Sequence, residues 1–144
     1  MKPELEKKLT DRFMFYKMQF GFECGNGWFD LLWKLSERIE KIIEENNIKD
    51  FEAVQVKEKF AGLRYYVSNV SSYEISKEIK KAELKSIVTC ELCGKPAVLC
   101  SSLSWLQTLC PECVKEPFAP AECLRQEYID QLPDGLLKQY RSKK

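Results

Sequence analysis

Two short motifs constrain this chain more than anything else in it. They are Cys90-Glu91-Leu92-Cys93-Gly94 and Cys110-Pro111-Glu112-Cys113, sixteen residues apart. A C-x2-C turn lets two thiolates reach one ion, and Gly94 relieves the turn after the second sulfur. Two such turns brought together by a hairpin make a cage of four sulfurs, the preferred structural environment of Zn²⁺. Residues 97–99 and 105–109 read as the strands of that hairpin, joined through Ser101-Ser102-Leu103-Ser104. Two layouts fit: a zinc ribbon with knuckles at strand ends, or a treble clef whose second knuckle opens a helix at Val114. Pro117 keeps any such helix short and favours the ribbon. The alternatives for the same cysteines are an iron–sulfur cluster, buried free thiols, or a thioredoxin-type dithiol, for which the βαβ context is missing. A site closed by Cys90, Cys93, Cys110 and Cys113 keeps no position open for water, so it contributes folding energy instead of hydrolysis.

The rest of the composition narrows the chemistry further. The chain of 144 residues has no His, which removes Ser-His-Asp and Cys-His catalysis, His-ligated catalytic zinc and His-based nucleases. Its 23 Lys and Arg nearly cancel 22 Asp and Glu, which disfavours generic nucleic-acid coating. Residues 86–120 carry two lysines against three glutamates. Four thiolates and one Zn²⁺ take that stretch to a net charge of about −3, suited to packing on the body or docking on a basic partner. The charged N-terminal stretch is no signal peptide, and no apolar run is long enough to span a membrane. A cytoplasmic location follows as the expectation, and there thiols stay reduced and serve as ligands. Cys100 is expected in the hairpin core, and Cys24 and Cys123 as small buried hydrophobes.

The expected fold class is α+β: helices packed on a small antiparallel hairpin or sheet, with the four-cysteine ribbon or treble-clef module C-terminal to them. Leu5, Leu9 and Phe13 predict an amphipathic helix over 3–16, and residues 17–27 a loop. Leu31, Leu32, Leu35, Ile39, Ile42 and Ile43 stripe a second helix from about Trp28 to Asn46. Alternation over 52–59 and 63–68 predicts a hairpin, with Val54 and Val56 on one side and Gly62 free to take a positive φ. Ser71 with Glu74 predicts a capping box for a third helix ending near Lys85. Pro120 opens a last helix that ends near Pro133-Asp134-Gly135, and the basic tail frays. The expected division is 1–87 as body, 88–117 as zinc module packed on it, and 118–144 as C-terminal helix and tail. Trp28, Phe29, Trp33 and Tyr16 are expected in the core or an interface, and Gly25-Asn26-Gly27 as a helix entry too short for a phosphate loop.

Alternation also puts Lys57, Lys59, Arg64 and Tyr66 on one face of the hairpin, a candidate surface for phosphate or an acidic protein segment, or simply a solvated face. Three blocks in order carry a resemblance. They are Gly-x-Gly-Trp-Phe-Asp at 25–30, Val-Lys-Glu-Lys-Phe-x-Gly-Leu-Arg-Tyr-Tyr at 56–66, and Cys-x-x-Cys-Gly…Trp-x-x-Thr-Leu-Cys-x-x-Cys at 90–113. Together they are similar to a group of small uncharacterised proteins from bacteria and phages, over roughly residues 24–114. The resemblance implies a zinc module and a body that recur as one unit. The functional expectation is a non-enzymatic protein that acts on a protein partner as an inhibitor, immunity-type protein or adaptor, stiffened by structural Zn²⁺. One alternative is a nucleic-acid binder using the hairpin face and the tail at 138–144. Another is an enzyme of unrecognised type, for which Glu23, Asp30, Glu58 and Glu74 stand out no more than other acids.

Overall fold

The computed structural model describes residues 1–68, 72–121, 124 and 126–142. Among the described residues, five α-helices and two three-stranded sheets, with the four cysteines clustered in the C-terminal region, make the chain α+β. Helix α1 (Pro3–Arg12) places Pro3 where a backbone N–H has no acceptor to lose, and Glu4 and Glu6 face the positive helix end. It stops short of the predicted residue 16 because Phe13 turns extended (φ −117°, ψ 101°). The next residues then run beside the sheet, with Ala53 N–H donating to Phe15 O and Lys17 N–H to Ala53 O, both at 2.9 Å. The expected loop at 17–27 holds strand β1 (Phe22–Glu23) and a 3₁₀ turn over Asn26–Trp28, which enters helix α2 (Phe29–Glu45). A strand of two residues carries no alternation to read.

Strands β2 (Glu52–Lys59) and β3 (Gly62–Ser68) form the antiparallel hairpin, and β1 pairs with β2 in parallel, so the sheet is mixed. Two details of the hairpin differ from expectation. The register slips between Ala53 and Gln55, so Ala53 and Val56 are fully buried while Val54 faces outward. The turn is made by positive φ at Phe60 (49°) and Ala61 (66°), not at Gly62. Gly62 is needed for space instead, since a Cβ there would lie 2.9 Å from Pro133 Cγ.

Helix α3 (Tyr73–Ser86) is capped by Ser72, whose Oγ accepts from Ile75 N–H at 3.3 Å. The predicted capping box includes Ser71, which lies outside the described residues. One face of the first sheet packs with α1, α2 and α3 around fully buried Trp28, Phe13, Leu9, Leu32 and Leu63. Aromatic rings interlock there, as in Tyr16–Phe22 at 4.9 Å and Phe13–Trp33 at 5.1 Å between centroids. Trp28 and Tyr16 sit in this core as expected, with Phe29 and Trp33 half-buried at its edge.

The second sheet has the order β5-β4-β6, from β4 (Val98–Ser101), β5 (Leu106–Leu109) and β6 (Ala119–Pro120). The C-terminal part departs from expectation. Pro120 belongs to β6, helix α4 (Gln126–Ile129) is a single turn, and Pro133-Asp134-Gly135 opens helix α5 (Asp134–Ser142) instead of closing one. Leu137 N–H donates to Pro133 O at 2.9 Å, and Asp134 stands in the first turn, where a carboxylate is favourable. The described part of the tail is helical through Ser142, with Leu136 and Tyr140 buried in a cluster with Ala61, Ile87, Leu99 and Leu106.

Candidate metal centre

Each knuckle is built by its own backbone. In the first, Gly94 N–H donates to Cys90 O at 2.9 Å and Cys90 N–H to Lys95 O at 2.7 Å, with Gly94 at φ +84° as its place after the second sulfur requires. In the second, Cys113 and Val114 N–H both donate to Cys110 O, at 3.1 and 3.0 Å. No helix opens at Val114. The chain runs on to β6, which pairs antiparallel with β4, and so the ribbon layout holds. The β4–β5 hairpin, with Val98 opposite Leu109, brings the knuckles together.

The sulfurs of Cys90, Cys93, Cys110 and Cys113 all lie within 4.8 Å of one another, and Cys93 and Cys110 are 3.5 Å apart. Four sulfurs bonded at about 2.3 Å to one tetrahedral ion stand about 3.8 Å apart, so the quartet has the span needed to hold one metal ion. Each cysteine contributes one sulfur, and the donor set is all thiol, which suits a soft or borderline metal. Cys90 and Cys110 are buried, whereas Cys93 and Cys113 reach the surface. The sulfurs also perturb one another. Burial opposes ionisation of Cys110, but hydrogen bonds from the Cys93 thiol and from backbone N–H groups of Cys113 and Glu112 outweigh it and bring its pKa to about 7. Cys113 is pushed up to about 12 by its hydrogen bonds with Cys93 and Cys110. Four thiolates at this separation need a cation to coexist.

Glu91, inside the first knuckle, is buried and fastens the centre to the rest of the molecule. Its Oε1 accepts from Gly25 N–H (3.0 Å), its Oε2 from Gln107 Nε2 (3.1 Å), and its carbonyl from Gly27 N–H (2.8 Å). Trp28 Nε1 donates to Thr89 O at 2.9 Å, and Thr108 Oγ1 to Ala61 O at 2.7 Å. Gly27 lies against the knuckle backbone so closely that a Cβ would fall 2.1 Å from Cys90 O and 2.7 Å from Cys93 N. None of these partners was singled out as a site residue in the sequence, because the contacts join segments from 16 to 66 residues apart and no spacing rule encodes them. Lys95 and Glu112 pair across the two knuckles at the surface, where solvent screens the contact.

Cys100 is buried beside the quartet but outside it, with Sγ 3.6 Å from Val98 O. Cys24 is buried in the body, and burial raises its thiol to about 12, assisted by the nearby Glu91 charge. Cys123 lies outside the described residues. By register Lys57, Lys59, Arg64 and Tyr66 fall on one side of the hairpin, with Lys57 opposite Arg64, but Arg64 is half-buried and lines a cavity with Lys80, Glu83 and Pro133. Lys57 Nζ stands 5.8 Å from the Tyr66 ring and Lys59 Nζ 5.8 Å from the Phe60 ring, while Arg64 donates to Leu63 O. Glu23 sits beside Lys57 on the same face. No described helix is long and apolar enough to cross a membrane. No family model matches the chain, and comparison with curated proteins and with solved structures finds no match.

Proposed function

We propose that this protein is a cytoplasmic, non-enzymatic zinc protein whose metal stiffens a surface for binding a protein partner, in an inhibitor, immunity-type or adaptor role. The observation that carries it is the quartet of sulfurs, all within 4.8 Å of one another, which would fill every position around one tetrahedral ion. Cys90, Cys93, Cys110 and Cys113 would hold Zn²⁺, which supplies cohesion between the two knuckles. Thiolate ligands persist in a reducing compartment, which supports the cytoplasmic assignment. The three-block likeness to small bacterial and phage proteins supports the same unit of body plus zinc module.

Elemental analysis of purified protein is the direct test. One zinc per chain is expected, retained in Cys100→Ser and lost in Cys113→Ser. A fully folded, metal-free protein, or iron in place of zinc, overturns the metal assignment. Affinity capture from the source cells should recover a stoichiometric protein partner, and a steady-state turnover assigned to the pure protein would overturn the non-enzymatic part. The nucleic-acid alternative draws on the Lys57, Lys59 and Tyr66 face. Glu23 beside Lys57 weakens its pull on phosphate. A salt-sensitive mobility shift with DNA or RNA, abolished by Lys57→Glu with Lys59→Glu, would favour it over the protein partner.

A further inference from the structure

A groove of about 680 Å³ runs between α2 and α3 and ends against the first cysteine knuckle at Gly94 and Pro96. The helices are antiparallel, since Arg38 meets Glu78 at one end while Trp28 meets Thr89 at the other. The floor is apolar, made by buried Leu35 and Ala82 with half-buried Leu31 and Val88. The walls are cationic. Lys34 and Arg38 stand one helical turn apart on α2, and Lys81 and Lys85 one turn apart on α3, all exposed. Against these four cations the groove carries only Asp30 and Glu78. Glu78 is shared by Arg38 (3.2 Å) and Lys81 (3.1 Å), which leaves Lys34 and Lys85 without an ion pair among the described residues. These cations lie on different elements from the hairpin face and were not singled out in the sequence.

We infer that this groove is the partner-binding surface and that its occupant is an acidic amphipathic helix of another protein, with aliphatic side chains on the floor and carboxylates toward the two rows of cations. Charge complementarity selects the acidic partner, and an apolar floor between paired cations selects an amphipathic segment over a bare phosphate chain. The turn-by-turn spacing of Lys34 and Arg38, and of Lys81 and Lys85, matches carboxylates spaced i, i+4 on a helix. The knuckle closes one end, so the metal centre holds the end wall in place. The inference rests on the partner-binding function proposed above and gives it a location.

The test uses zinc-loaded protein and a fluorescein-labelled helical peptide of about 18 residues, with Leu on one stripe and Glu elsewhere. The control replaces every Glu by Lys. Fluorescence anisotropy should show salt-sensitive binding of the acidic peptide and none of the control. Lys34→Glu with Lys85→Glu should weaken it about tenfold or more at unchanged zinc content and circular dichroism. Lys57→Glu with Lys59→Glu, on the sheet face, should leave it unchanged. The groove assignment is overturned if the acidic peptide binds no tighter than its control, if the sheet-face variant weakens it equally, or if duplex DNA competes for Lys34 and Lys85. Zinc content separates the two failures: a metal-free folded chain sinks the zinc function, whereas loss of groove-dependent binding on loaded protein sinks only the site.

Discussion

At the scale of single residues, two positions carry consequences out of proportion to their size. Gly27 has no side chain because the knuckle backbone already occupies the space. Gly27→Ala is therefore expected to cost about 2 kcal/mol and to weaken metal retention, checked by melting temperature and by competition with a chromogenic chelator. Glu58 is half-buried, and that burial raises its carboxyl pKa, with repulsion from Glu91 adding to the effect; the Ala61 N–H and the Arg64 charge oppose it. A folded-state pKa above the unfolded one means that the ionised form disfavours the fold at neutral pH. Glu58→Gln should raise the melting temperature at pH 7, and the gain should shrink as pH falls toward the ordinary carboxylate value of about 4.3. A gain independent of pH would assign the effect to something other than charge. The four clustered cysteines were legible residue by residue because C-x2-C spacing is local chemistry. Gly27 and Glu91 were not, since what they touch comes from a different part of the chain.

At the scale of elements, helix α5 shows how burial decides between local signals. Pro-Asp-Gly serves equally well as a turn or as a helix start, and the sequence assigned it to a stop. Leu136, 1% exposed, instead closes a cluster made of the hairpin tip, the end of α3 and the second sheet. Leu136→Ala is expected to cost about 3 kcal/mol, read by denaturant midpoint, because the cavity opens where three elements meet. A surface-like cost below about 0.5 kcal/mol would mean α5 is dispensable. The hairpin and helices α2 and α3 were predictable because their apolar periods are long. The bulge at Val54 and the two-residue β1 escaped because each is set by a neighbouring strand.

At the scale of the whole molecule, the metal module and the body share hydrogen bonds and a hydrophobic cluster on both sides of residue 87. Trp28 is fully buried in the body core while its indole N–H reaches Thr89, next to Cys90. In a Trp33→Phe, Trp105→Phe background, chelation should shift Trp28 emission to the red and reduce helical circular dichroism in one step. A module that melts while Trp28 stays buried would make the two parts independent. What the sequence determined alone was what near neighbours hold: the clustered cysteine quartet, the hairpin between its knuckles, the long helices and the α+β class. Tertiary structure decided which glycines are wedged against the knuckle, where the C-terminal helix lies, and that Lys34 and Lys85 face one groove. Those outcomes depend on contacts between distant segments. Their geometry is set by how the apolar faces bury one another and not by any local pattern of residues.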